Sequence, residues 1–310
     1  MAKIGNSDLD VYGLNLGGNV FGFTADQEQS FAVLDAYAAA GGNFIDTADT
    51  YSAFAPGNVG GESETIIGNW LEKRGRRDDI VIATKVGSWG ERPGLSAANI
   101  AAAADDSLRR LKTDHIDLYY AHRDYDETPL EETLGAFDAL VKSGKVRYIA
   151  ASNYTAARLT EALSISDREG FARYVALQPE YNLVKREYEQ ELAGTIEREG
   201  LSTLPYFGLA SGFLTGKYRS ADASASSPRA KGALAYLDDR GERVLAALDE
   251  VAHAHGVPVA SVSLAWLAAQ PTIAAPIASA RTTAQLAEIL PSVDLKLADD
   301  ELSALSAASA

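Results

Sequence analysis

Eight times along this chain a short apolar run is followed by a polar or glycine break and then by an Ala/Leu-rich amphipathic segment. The runs fall at 14–16, 43–45, 80–84, 116–120, 146–150, 175–177, 201–206 and 272–277. The amphipathic segments fall at about 27–40, 62–74, 97–111, 130–143, 155–168, 185–199, 241–255 and 282–290. The runs are nearly continuous in apolar residues, which suits parallel strands covered by helices on both faces. Eight such units predict an α/β fold, a closed (β/α)8 TIM barrel, as a single domain over residues 1–310. The alternative is an open doubly wound sheet. It is expected to carry G-x-G-x-x-G at an early strand-to-helix turn, and the early units have none. The opening "KIGNSDLDVYGL" places Gly5–Asn6–Ser7 between two short runs and predicts a β-hairpin closing the barrel bottom. Two loops break the rhythm, "GSWGERPG" at 87–94 and the Gly/Ser/Pro-rich stretch 219–239. Both follow strands, at the end where a barrel carries its active-site loops.

Composition removes several classes of function. Without cysteine the chain has no disulfide, no thiolate zinc site and no thiol nucleophile, and no metal site is predicted. A formal net charge of −15 argues against nucleic acid, whose phosphates need a Lys/Arg surface. It also means that an anionic ligand must be held by local cations against an unfavourable overall field. "MAKIGNSDLD" has no apolar h-region and no run approaches the ~20 residues of a membrane span, so a soluble, cytoplasmic chain without a membrane partner is expected. "GFLTGKY" fails as a phosphate-binding P-loop, since Tyr218 stands where a Ser/Thr would hold Mg2+.

The strand ends carry the chemistry. Asp46 and Tyr51 follow the second run, Lys85 the third and His122 the fourth. A lysine and an aspartate at the ends of buried strands are costly unless they find partners. If the barrel closes, the ends converge on one mouth and the four groups can meet. A phenol has a pKa near ~10 and is a poor acid at neutral pH; lowering it by about three pH units requires about 4 kcal/mol of differential interaction. An ammonium at Lys85, paired with Asp46, offers that interaction, and His122 can direct a carbonyl oxygen toward the phenol. The set forms a proton donor to an oxygen that gains charge as hydride arrives at carbon. No side chain supplies hydride, so this reading implies a nicotinamide. Taken singly, each of the four residues reads more simply as packing or an ion pair; their recurrence at three successive strand ends favours function.

The motifs "GGNFIDTADTYS", "GGESETIIGNWL", "VIATKVG", "SLRRLKTDHIDLYYAHRDY", "GKVRYIAASNY", "QPEYNLVKRE", "ASGFLTGKYR" and "IASARTTAQLAEIL" occur in that order over residues 13 to 290. Together they resemble the aldo-keto reductase superfamily, in particular a bacterial branch that also resembles potassium-channel β subunits. The resemblance implies a catalytic tetrad of Asp46, Tyr51, Lys85 and His122, with Tyr51 as general acid. It implies that Gly18, Asn19 and Asp46 lie beside the cofactor. Ser152, Asn153 and Gln178 would hold the nicotinamide carboxamide, and Tyr206 would stack on its ring. Phe207, Gly208, Leu209, Ala210 and Ser211 would wrap the pyrophosphate, with Lys217 reaching the phosphates. Ser279, Arg281 and Gln285 match positions that bind an adenosine 2′-phosphate, and Glu288 one that faces the adenine.

Ser152 and Asn153 also suit an N-cap on the helix that follows, and Arg281 also reads as a solvated loop arginine. Ala150 and Ser279 stand where the family often has Gly, Phe207–Gly208 where it often has Ser-Pro, and Ile289 where it often has Asn. The expected activity is reversible, NADPH-dependent reduction of a small aldehyde or ketone to an alcohol, NADH being the less favoured cofactor. Phe54, Trp89 and Tyr125 are expected to shape the substrate pocket. Two alternatives stand beside it: a nicotinamide-binding regulatory or redox-sensing subunit, and an aldolase-type barrel with Lys85 as Schiff-base amine.

Overall fold

The computed structural model of the chain describes residues 1–220 and 230–310; the stretch 221–229, the centre of the 219–239 loop, lies outside the described residues. Eight strands form one sheet: β3 (Asn15–Gly17), β4 (Phe44–Asp46), β5 (Val81–Val86), β6 (Ile116–Ala121), β7 (Val146–Ser152), β8 (Tyr174–Gln178), β9 (Ser202–Thr203) and β10 (Ile277–Ala278). Every ladder is parallel, and β10 lies beside β3. The sheet closes on itself. Thr203 N–H donates to Thr272 O at 2.8 Å, Ala274 N–H to Thr203 O at 3.0 Å and Ile277 N–H to Pro205 O at 2.9 Å. This is the (β/α)8 barrel that the eightfold pattern predicts. The last two strands are shorter than their apolar runs, which contain Pro205 and Pro276, residues without an amide hydrogen for the ladder.

Helices α1 (Gln27–Ala39), α2 (Glu62–Arg74), α3 (Ala97–Leu111), α4 (Leu130–Lys142), α5 (Ala156–Glu169) and α6 (Leu192–Glu199) connect the strands. After β9 come α7 (Ala230–Leu234), α8 (Asp239–His255) and α9 (Val259–Ala268); α10 (Thr283–Ile289) and α11 (Asp299–Ala308) follow β10. Side-chain caps start several of them: Asp26 for α1, Ser96 for α3, Thr155 for α5, Asp238 for α8 and Thr282 for α10. Each cap contributes roughly 0.5–2 kcal/mol. The 185–199 segment is a short 3-10 turn followed by α6 rather than one helix. The sequence pattern misses α9 because Ala260 to Leu267 are all buried, so no polar face marks the turn. Among the described residues no single helix is long and apolar enough to cross a membrane.

The N-terminal hairpin is present. β1 (Ala2–Lys3) pairs antiparallel with β2 (Asp10–Val11), and Ile4, Leu9 and Val11 pack with Phe44, Val81 and Val175 at the starts of the strands. Gly5 turns with φ +48°, and a Cβ there would lie 2.3 Å from Val175 O, so glycine alone fits this approach. The bottom is thereby plugged, and the open end of the barrel is the one where the strands finish.

Candidate active site

Strand register brings the predicted polar residues to that open end. Asp46 closes β4 opposite Ala83 of β5, Lys85 pairs with Tyr120 across β5 and β6, and Ser152 pairs with Gln178 across β7 and β8. His122 follows β6 directly, its amide donating to Val86 O at 2.9 Å. Tyr51 returns over the mouth on the loop after β4, which is tied to β5 by Thr47 N–H to Ala83 O (2.8 Å) and Asp49 N–H to Lys85 O (3.2 Å).

Lys85 is fully buried, and its three ammonium protons have three acceptors: Asp46 Oδ1 at 2.5 Å, Thr47 O at 2.8 Å and Tyr51 Oη at 3.0 Å. Asp46 is equally buried and takes a further bond on its other oxygen from Gln178 Nε2 at 2.8 Å. Burial pushes the Lys85 ammonium below its ordinary value, while Asp46 pulls it back up. Because the ammonium donates into the phenol oxygen, the phenol's own proton is directed elsewhere: to Asp46 Oδ1, 3.4 Å away, or to an oxygen in the cleft. The Tyr51 and His122 rings meet edge to face with centroids 6.1 Å apart. Burial, and then the charges of Lys85 and Arg123, hold His122 well below 6.5, so it is a neutral imidazole at pH 7. Its Nδ1 is buried without a partner.

A cleft of about 540 Å3 runs from Tyr51 and His122 across the ends of β7, β8, β9 and β10 to α10. Of the expected cofactor residues, Asn19, Asp46, Ser152, Asn153, Gln178, Tyr206, Phe207, Gly208, Leu209, Ser211, Lys217, Ser279, Arg281, Gln285 and Glu288 line it. Gly18 does not: its amide donates to Asp46 O and its carbonyl accepts from Ser63 Oγ. Ala210 is also turned away, 1% exposed within the loop. Nor do Phe54, Trp89 and Tyr125 line it. Phe54 stacks edge-on against Phe23, Trp89 donates to Val59 O, and the Tyr125 hydroxyl bonds Gly87 O. Sequence reasoning missed Thr24, Arg123, Thr215 and Tyr218 in the lining. Of these only Arg123, adjoining His122, carried any signal.

One ambiguity of the sequence resolves here. Thr155, not Ser152 or Asn153, caps α5. Ser152 Oγ donates to Gln178 O and Asn153 Nδ2 to His122 O, while Tyr206 Oη donates to Asn153 Oδ1 at 2.8 Å, so these amides and hydroxyls stand in the cleft wall. Backbone strain also gathers at this end. Among the described residues seven non-glycines have positive φ, and Ser52, Asn153, Phe207, Ala210 and Ser211 are five of them.

Behind the loop lies a buried charged layer. Glu64 of α2, fully buried, accepts from Thr84 Oγ1 and from Arg110 Nε, both at 2.6 Å. Asp49 is 2% exposed with one carboxylate oxygen unpartnered; burial, then Glu64, pushes it up to about 7. The sign follows directly. The unfolded chain gives up this proton near 3.8 and the folded one near 7, so between those values the folded state binds more protons and loses stability as pH rises. In urea unfolding, Asp49→Asn is expected to gain on the parent by up to ~1.4 kcal/mol per pH unit between pH 5 and 7, then to run level above. A constant difference across that range would show that Asp49 is not the titrating group.

Fold and mouth together are those of a barrel enzyme with its chemistry at the C-terminal strand ends. The profile of the Aldo/keto reductase family matches residues 13–310. The chain is 34% identical to "Protein tas" of Escherichia coli (strain K12), over 98% of this chain and 96% of that protein. It is 33% identical to a "Probable voltage-gated potassium channel subunit beta" of Oryza sativa subsp. japonica, over 94% and 90%. It is 32% identical to "Norsolorinic acid reductase B" of Aspergillus parasiticus, over 93% and 76%. The chain belongs to the aldo/keto reductase family and is an oxidoreductase.

Proposed function

We propose that this protein reduces an aldehyde or ketone to an alcohol, reversibly, with NADPH as reductant and Tyr51 as proton donor. One observation carries the reading: the buried Lys85 ammonium donates into the Tyr51 hydroxyl beside a neutral His122 that lines the same cleft. The residues present fit a dinucleotide. The cleft is long, has amide and hydroxyl groups at the Tyr51 end, and carries Lys217 and Arg281 along its length without an acid partner among the described residues. A reduced nicotinamide held there would supply the hydride, and with it the two electrons that the carbonyl gains. Tyr51 gives its proton to the carbonyl oxygen as negative charge builds there, Lys85 stabilises the phenolate left behind, and solvent returns the proton. Asp46 keeps Lys85 charged and in place, and neutral His122 orients the carbonyl. The whole chain acts as one catalytic domain in this reading.

Lys85 as a Schiff-base amine fits poorly, because all three of its protons are engaged and it does not line the cleft. A nicotinamide-binding regulatory subunit draws its support from the channel-subunit relatives. Steady NADPH oxidation with a panel of small aldehydes and ketones decides between them: tight NADPH binding with no turnover would establish the regulatory reading. Arg281→Ala is expected to weaken NADPH by about 10- to 100-fold while barely changing NADH, the worth of a charge-assisted hydrogen bond to the 2′-phosphate. Titration calorimetry checks this; equal losses for the two cofactors would remove Arg281 from that role.

A further inference from the structure

Arg123 lines the cleft with Tyr51 and His122, follows His122 in the chain, and is an exposed residue. Its one hydrogen bond among the described residues is from Nε to the Ser88 hydroxyl, at 3.1 Å. That leaves the planar fork of Nη groups without a carboxylate. Cations close to it in the fold are held by acids, Lys85 by Asp46, Arg92 by Asp106, Arg110 by Glu64 and Arg158 by Asp124, whereas Arg123, like Lys217 and Arg281 along the same cleft, has no acid partner among the described residues. Two acids of the barrel mouth do not serve it. Asp46 is taken by Lys85, and Glu180 by Tyr236. The charge of Arg123 nevertheless reaches the reacting end, since it acts on both His122 and Tyr206.

We infer that Arg123 is a specificity-determining residue and that the substrate is a carbonyl compound bearing a carboxylate, held by the Arg123 guanidinium while its carbonyl faces Tyr51 and His122. This rests on the carbonyl-reductase reading for the chemistry, which it leaves unchanged, and adds the substrate class. A guanidinium offers a carboxylate two parallel N–H donors, so the contact fixes orientation as well as affinity. The carboxylate stays on the substrate throughout, and no bond to it forms or breaks.

The test compares 4-formylbenzoate with benzaldehyde, which differ only in the carboxylate. Binding to the NADP+-loaded protein is measured by calorimetry, where no turnover occurs, and reduction is measured separately with NADPH. The native protein is expected to bind 4-formylbenzoate about 10- to 100-fold more tightly than benzaldehyde. Arg123→Gln, which keeps a donor for Ser88, is expected to bring the two within about threefold, and Arg123→Lys to restore part of the gap. In turnover the loss is expected in KM for the carboxylate substrate rather than in kcat. Equal binding of the two aldehydes by the native protein, or a gap that survives Arg123→Gln, overturns the proposal. A gap that vanishes in Arg123→Gln while neither aldehyde oxidises NADPH keeps the carboxylate site and removes carbonyl reduction. Turnover of benzaldehyde without any gap does the reverse.

Discussion

Tyr51→Phe is expected to lower kcat for aldehyde reduction by about 10²- to 10⁴-fold, the usual contribution of a positioned general acid. The substitution deletes one oxygen and leaves the ring in place. Lys85 loses one of three acceptors but keeps Asp46 and Thr47 O, so its charge and position persist. Cofactor affinity should therefore stay within about threefold of native, since Tyr51 contributes proton transfer rather than uniform binding. Single-turnover mixing of the protein with NADPH and aldehyde separates the two effects. A variant that reduces aldehydes at the native rate would take the proton-donor role away from Tyr51 and give it to His122 or to water.

Glu64→Ala is expected to destabilise the fold by about 3–5 kcal/mol, the cost of leaving a buried charge without its partner. Glu64 lies in the first turn of α2 and joins three elements at once, bonding Thr84 on β5 and Arg110 on α3. Arg110 is 14% exposed and already has one unpartnered nitrogen, so the uncompensated guanidinium has little water to turn to. Because Thr84 precedes Lys85, the damage should also reach the active site. Asp249→Ala, which breaks an exposed pair with Arg219, serves as the control and should move the midpoint far less. Guanidinium unfolding of the three proteins checks this; similar midpoints for the two variants would show that the buried layer adds no more than a surface pair.

The parts of this protein legible in its sequence are those set by local pattern. Near-continuous apolar runs and 3.6-residue periodicity gave the strand and helix order, and residues such as Asp46 and Lys85 stood out because a charge at the end of a buried run needs a reason. Where local pattern was uniform it failed. α9 is buried on every side and shows no period, and prolines shortened β9 and β10 although the runs looked long. Ser152 and Asn153 were ambiguous between a cap and a cleft wall until Thr155 took the cap.

Loops were the hardest. Phe54, Trp89 and Tyr125 are aromatic and follow strands, but their contacts with Phe23, Val59 and Gly87 are made between separate loops, which local sequence does not show. Arg123 drew no reading from the sequence, because its place in the cleft and its want of a carboxylate show only in the folded chain. The amino-acid order by itself determined which groups arrive at the barrel mouth, because strand length and alternation act within a few residues. Only the closed barrel decided which of them touch: hydrogen bonds between residues far apart in the chain set the 3.0 Å approach of Lys85 to Tyr51, and long-range pairing leaves no mark in local sequence.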